Sequence, residues 1–340
     1  MRQRIVDPGP LSPDDERFNL TLRPRTLDEM IGMAEQLEPL RIALHAAMER
    51  GEALEHVLLD GPPGLGKTTI AHAIANEIGS KLVQTSGPAL TRTGDLMGIL
   101  TGLGEKDVLL IDEIHRLPIA VEEFIYPAME DRKVQFVVDS GAFAKTINVP
   151  LKNFTIVGAT TKAGLLSKPL RTRFGIFHHV EFYDAADLKE IVERSAGLLK
   201  VTADEDASAE IARRSRGTPR ITNNYLKRVR DFAQVKADGH VTLAIALKAL
   251  EMLGVDELGL DELDRRFLRT IADFYDGGPV GIEALAATLN EDRGTLEDVV
   301  EPYLLRVGLL NRTSKGRRIT KRTFEHLGID PPSSAQPELF

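Results

Sequence analysis

The chain has 340 residues, 42% of them hydrophobic and 28% charged, enough length and apolar content for two or three folded domains; this excludes a globally disordered protein. It contains no Cys, which excludes disulfides, Cys-based zinc sites and thiol nucleophiles. Lys and Arg number 43 against 51 Asp and Glu, a net charge of −8, so any nucleic-acid contact must be a local patch.

Residues 1–18, rich in Pro, Asp and Arg, read as a flexible lead, and 330–340 as a flexible tail. The first residues lack the apolar run of a signal peptide. No stretch of about 18 apolar residues offers a membrane span, which makes the cytoplasm the expected location. Between His56 and Phe182 short apolar runs alternate with helical patterns: Val57 to Leu59, Leu82-Val83, Val108 to Ile111, Phe154 to Val157 and His179 to Phe182. Continuous runs suit parallel strands covered on both faces, and the alternation predicts a doubly wound α/β domain over 19–183.

From Asp184, read as an N-cap, to Leu253 only helical periodicity remains, predicting a small all-α domain over 184–254. Gly217 ends one of its helices, and Thr218-Pro219 opens the next. Over 257–329 the pattern gives helices at Leu263 to Tyr275 and Ile282 to Leu289, then a third opened by the capping box Thr295-x-x-Asp298. A hairpin turning at Ser314-Lys315-Gly316 follows. That is the order of a winged helix.

Gly61-Pro62-Pro63-Gly64-Leu65-Gly66-Lys67-Thr68 follows an apolar run and opens a helix, the context a P-loop requires. Gly64 and Gly66 let backbone N–H groups turn inward around phosphate oxygens, and the helix N-terminus adds partial positive charge. Lys67 is suited to neutralise the β- and γ-phosphates of ATP, and Thr68 to ligate Mg²⁺. Further on, Val108 to Ile111 delivers Asp112 and Glu113 to the C-terminal end of a strand, where such sheets bind ligands. Asp112 would hold Mg²⁺ through water, and Glu113 would deprotonate the attacking water. At the end of the next strand, in Gly158-Ala159-Thr160-Thr161, a hydroxyl can bond the γ-phosphate or that water. The sequence does not separate Thr160 from Thr161, and Thr161 is assigned the role. His115, His178 and His179 have no ligand spacing and read as structural.

Between Arg306 and Arg322 stand Arg306, Arg312, Lys315, Arg317, Arg318, Lys321 and Arg322, with no acid among them. The preceding helix carries Glu297, Asp298 and Glu301, which oppose phosphate approach. The wing is therefore expected to grip the backbone of DNA without reading base sequence.

These segments together resemble the AAA+ ATPases and, within them, the RuvB family of bacterial Holliday-junction branch-migration motors, from about Leu20 to Gly328. The narrowest of them are Asp112-Glu113-Ile114-His115, Tyr126 to Asp131, Leu170 to Gly175, and Arg216-Gly217-Thr218-Pro219-Arg220. The resemblance implies a ring, expected to be a hexamer, that binds ATP/ADP and drives branch migration of four-way junctions on duplex DNA of any sequence. RuvA and RuvC are the implied partners. It makes Arg173 an arginine finger reaching a neighbouring subunit's γ-phosphate and Arg220 a sensor of that phosphate. Leu22, Arg23, Thr69 and Tyr183 would line the nucleotide pocket, Glu130, Asp131 and Arg132 would approach the nucleotide across the interface, and Arg312 and Arg317 would contact DNA. Two places depart from the family pattern. Val137 to Lys145 departs from the Gly-rich sequence with an Ala-Arg end of the hairpin that the family docks onto RuvA, and Lys162 replaces an Arg. A competing expectation is an AAA+ loader that places another protein on DNA.

Overall fold

The computed structural model describes residues 21–138 and 145–331. The expectations for the lead, for nearly all of the tail and for the middle of the 137–145 segment lie outside the described residues. The chain forms two compact units, one ending at Phe182 and one beginning at Tyr183.

The first unit opens with the helix Ala34–Arg50, which buries Leu37, Leu40, Leu44 and Ala47. Steps of three and four residues put those side chains on one face. The strands follow as β1 (Val57–Asp60), β2 (Leu82–Ser86), β3 (Val108–Asp112), β4 (Lys133–Val138), β5 (Lys145–Pro150), β6 (Thr155–Thr160) and β7 (Ile176–His179). Five of them form a parallel sheet in the order β2-β3-β6-β1-β7, and β4 and β5 pair as a separate antiparallel hairpin. Every residue of β6 is buried, as are Val108 to Ile111 of β3 and Val57 to Leu59 of β1. The doubly wound sheet expected from continuous apolar runs is therefore present.

One strand stands three residues earlier than the apolar pattern predicts. It is Ile176–His179, paired with β1 from Val57↔Ile176 to Asp60↔His179, and not His179 to Phe182. At the sheet edge only its His178 is buried, so this strand needs no apolar run. Val180 instead packs on the P-loop. Its N–H donates to the Asp60 carbonyl at 2.7 Å, and its own carbonyl oxygen lies 2.3 Å from where a Cβ on Gly61 would stand. With φ at 137° as well, position 61 admits only glycine.

The second unit begins with four helices, Ala185–Leu198, Glu205–Arg214, Pro219–Lys236 and Leu243–Met252. Asp184 caps the first, accepting from the Asp187 N–H at 2.8 Å, and Pro219 stands at the first position of the third. Next come Glu262–Phe274, capped by Asp261, and Ile282–Leu289. The third helix of this part starts earlier than expected. Asp292 is its cap, accepting from the Thr295 N–H at 3.1 Å, so Thr295 lies inside the helix and opens nothing. The run continues through one π-helical stretch, Leu296–Val300, into Glu301–Arg306. Strands β8 (Leu310–Thr313) and β9 (Gly316–Ile319) then form the wing, and Lys321–Leu327 closes the unit. Val280 adds a third edge to the wing by exchanging two hydrogen bonds with Arg317, at 2.9 and 2.8 Å. Gly316 makes that approach possible, since its φ is 134° and a Cβ there would meet the Val280 carbonyl at 2.4 Å.

Candidate functional site

The P-loop connects β1 to the helix Lys67–Ile78, with Gly64 and Gly66 at φ of 80° and 105°. Gly66 is the N-cap and brings no side-chain cap bond, so it puts no side chain over the first-turn N–H groups of that helix. Lys67 is buried, and its ammonium donates to the carbonyls of Gly61 and Pro62 at 2.7 and 2.8 Å. A lysine held across the loop at the start of a helix that has no side-chain cap suits a polyphosphate. Thr68 and Thr69 follow in the first turn.

β3 ends at Asp112, whose carboxylate accepts from the Glu113 N–H at 3.0 Å. Glu113 sits at φ 49° and ψ 45°, a left-handed conformation that costs a non-glycine residue free energy and turns the chain sharply away from the sheet. Thr161, just past β6, donates its hydroxyl to Glu113 Oε2 at 3.2 Å. Thr160 is fully buried and faces elsewhere: its Oγ1 lies 2.8 Å from His115 Nδ1 and accepts from the Lys162 N–H at 3.0 Å. His115 Nδ1 is also 3.4 Å from Glu113 Oε2. His115, read from sequence as structural, is thus a neighbour of the carboxylate. The signal that could have found it is its place two residues after Glu113 at a strand end. Among the described residues no group of three or more His, Asp or Glu is arranged to hold a metal. A hydroxyl from Thr68 and a carboxylate from Asp112 are the oxygen donors suited to an Mg²⁺ that keeps most of its water and phosphate ligands.

Arg173 follows the short helix Lys168–Arg171 and pairs with Glu130 at 3.2 Å, so two of the residues assigned to the subunit interface touch each other. Asp131 is exposed and pairs with Lys133 at 3.0 Å. Arg132 is turned inward. It donates to the Phe154 carbonyl at 2.9 Å, lies 4.9 Å over the Phe154 ring and approaches His56 Nε2 at 3.2 Å. In this unit it braces the sheet. Leu22 is buried and Arg23 half-buried at the start of the same unit.

Tyr183 and Arg220 belong to the second unit. Tyr183 is buried, its N–H donates to the Gly217 carbonyl at 3.0 Å, and its carbonyl accepts from Arg306 at 3.1 Å. Burial, with Asp187 nearby, pushes its phenol well above the ordinary range. Arg220 is half-buried in the first turn of Pro219–Lys236.

In the wing, Arg312 and Arg317 are direct cross-strand partners. Sequence reasoning set them against the acids of the preceding helix, but the structure joins them. Arg317 Nε lies 2.5 Å from Glu301 and Arg317 Nη2 lies 3.4 Å from Glu297, while Arg312 donates to the other Glu301 oxygen. Arg317 keeps 12% of its side chain exposed and Arg312 53%. Lys315, Arg318, Lys321 and Arg322 are exposed around them.

Three family descriptions match the chain in order: the Holliday junction DNA helicase RuvB P-loop domain over 22–180, the RuvB AAA lid domain over 183–256, and the RuvB C-terminal winged helix domain over 257–328. The Holliday junction branch migration complex subunit RuvB of Myxococcus xanthus is 52% identical over 328 residues, 96% of each chain. A solved Thermotoga maritima RuvB Holliday junction branch migration motor is 50% identical, with a TM-score of 0.85 over 92% of this chain and 100% of that one. A single-residue variant of the Thermotoga protein superposes with a TM-score of 0.82 at the same identity, covering 92% and 99%.

Proposed function

The chain belongs to the RuvB family, and from that membership we propose how its own residues power branch migration of Holliday junctions in recombination and repair. It is an AAA+ ATPase motor of the branch-migration class; the loader reading falls with that membership. The single observation that carries the mechanism is the pairing of Glu113 with Thr161 across the ends of β3 and β6.

In this reading the P-loop amides and Lys67 bind the triphosphate, and Glu113 takes the proton of a water that the Thr161 hydroxyl helps to orient. Thr68 and Asp112 would hold Mg²⁺, which when bound would supply charge neutralisation at the phosphates. Leu22, Arg23, Thr69 and Tyr183 line the nucleotide, and Arg220 reports the γ-phosphate to the helical part. Arg173 of one subunit completes the site of the next, with Glu130 and Asp131 at the same interface; Arg132, turned inward, would have to act through the backbone it braces. A trans arginine of this kind is worth roughly 10³–10⁵ in rate. The ring is a hexamer, junction DNA is gripped by the wing through Arg312, Arg317 and their exposed neighbours, and RuvA docks on the β4–β5 hairpin, whose 137–145 sequence departs from the family pattern, with RuvC as a further partner.

ATPase rate measured against protein concentration, with and without four-way-junction DNA, tests this reading. The rate per subunit should rise steeply as rings assemble and rise again with DNA. A monomer held apart that turns over at the full rate overturns the shared site. Strand displacement on a four-way junction, with RuvA supplied, tests for processive movement.

A further inference from the structure

Arg173 does not project alone from its unit. Its guanidinium carbon lies 4.1 Å from the centroid of the Tyr126 ring, Nη1 donates to the Pro169 carbonyl at 2.7 Å, and Nη2 meets Glu130 at 3.2 Å. Only 19% of the arginine side chain is exposed, against 57% for Glu130. The ring face attracts the cation without neutralising it, whereas the carboxylate competes directly with a phosphate.

Tyr126 is itself fixed. Its hydroxyl donates to Glu122 Oε1 at 2.5 Å, one helical turn back, and lies 3.3 Å from Ser167 Oγ. Ser167 donates to the same Glu122 oxygen and also caps Lys168–Arg171, accepting from the Leu170 N–H at 3.1 Å. The helix Ile119–Glu130, which carries the platform, and the helix Lys168–Arg171, which delivers the arginine, are therefore tied through one carboxylate.

We propose that Tyr126 is a positioning residue for the arginine finger: its ring holds the guanidinium plane at the subunit rim, while the exposed Glu130 contact is exchanged for the neighbour's phosphate. This rests on reading Arg173 as a trans-acting finger. A long side chain already confined to one plane reaches the phosphate with less ordering left to do at the moment of reaction.

The test compares Tyr126→Leu with Tyr126→Phe, in pure rings and in rings mixed with Lys67→Ala subunits, after thermal melts confirm that each variant is folded. Tyr126→Leu should lower junction-stimulated kcat roughly 10-fold with KM for ATP changed less than about twofold, and Tyr126→Phe should recover most of the loss. Lys67→Ala subunits hydrolyse nothing themselves but carry an intact Tyr126 and Arg173, so mixing them in should restore turnover at Tyr126→Leu P-loops. A folded Tyr126→Leu ring with unchanged kcat overturns the proposal. So does a Tyr126→Leu defect that Lys67→Ala subunits fail to rescue while they do rescue Arg173→Ala. If mixing rescues neither variant, the trans reading itself falls and takes the proposal with it, an outcome identified by the Arg173→Ala arm alone.

Discussion

Glu301 has no exposed side-chain surface, and Arg317 holds its Nε 2.5 Å from one of the carboxylate oxygens. Arg312, the cross-strand partner of Arg317, takes the other oxygen. One buried carboxylate thus offsets the repulsion between two arginines that share a register position on the wing. Glu301 and Glu297, set against DNA in the sequence reading, orient in the fold the two cations proposed to contact it.

The two arginines should therefore respond differently to removal. Arg317→Ala breaks a buried pair and should destabilise the protein toward the lower end of about 3–5 kcal/mol, because Arg312 remains on Glu301. Arg312→Ala, with a half-exposed side chain, should cost less stability but lower the salt slope of junction binding by about 1, equally on all sequences. Urea denaturation and salt-titrated DNA binding separate the two effects. An Arg317→Ala protein as stable as wild type would remove Glu301 from this role.

A second buried pair joins the helical part of the second unit to the winged part. Arg216 and Asp264 are 2% and 0% exposed; Nη2 donates to Oδ1 at 3.1 Å, while Nη1 stands 3.0 Å from Oδ2 but off hydrogen-bonding geometry. Arg216 also lies 4.5 Å over the Tyr303 ring, and the Tyr303 hydroxyl donates to the Leu258 carbonyl at 2.6 Å. Asp264→Ala strands a buried guanidinium and removes half of a capping box, so it should cost about 3–5 kcal/mol. In urea the wild-type unit should unfold in one step and the variant in two. A single unshifted transition would refute the coupling.

The sheet and the phosphate residues were legible because buried parallel strands need continuous apolar runs and a phosphate cradle needs glycine at fixed offsets. Where geometry is set by pairing, the sequence was silent. β7 is an edge strand placed by its register with β1, so the more apolar Val180 and Phe182 drew the expected strand past its true start. The helix Ala34–Arg50 carries a readable period in Leu37, Leu40, Leu44 and Ala47, but it precedes the first strand, so the strand–helix alternation does not point to it. The partners of Arg132, Arg173 and Arg317 were illegible, since a charge in a sequence does not say which way it turns.

His56 should make stability depend on pH in the acid range. It is 5% exposed, and its Nδ1 accepts from the Ile156 N–H at 2.8 Å. Burial first, then the Arg132 charge, push its pKa down from 6.5 to about 4. The unfolded chain takes up this proton more readily than the fold, so the contribution is complete above about pH 6.5 and is lost as pH falls towards 4, roughly 3 kcal/mol in all. His72, half-buried and also lowered to about 4, adds in the same window. Urea midpoints between pH 4 and 7 should fall with acid, and His56→Asn should flatten the slope. An unchanged slope in that variant would assign the effect elsewhere.

Glu113→Gln preserves shape and leaves an oxygen to accept from Thr161, but it cannot take a proton. Nucleotide binding should therefore stay within about twofold, while the hydrolytic step slows by roughly 10²–10⁴, the share general-base catalysis supplies. His115 stands 3.4 Å from the same carboxylate and 2.8 Å from the buried Thr160 hydroxyl, so it is placed to brace Glu113. His115→Asn should lower kcat less than Glu113→Gln does, and without changing nucleotide affinity. Single-turnover quench with labelled ATP reads the chemical step apart from release. Normal single-turnover hydrolysis by Glu113→Gln would take the base role from the one residue that the strand end, the left-handed turn and the Thr161 hydroxyl all converge on.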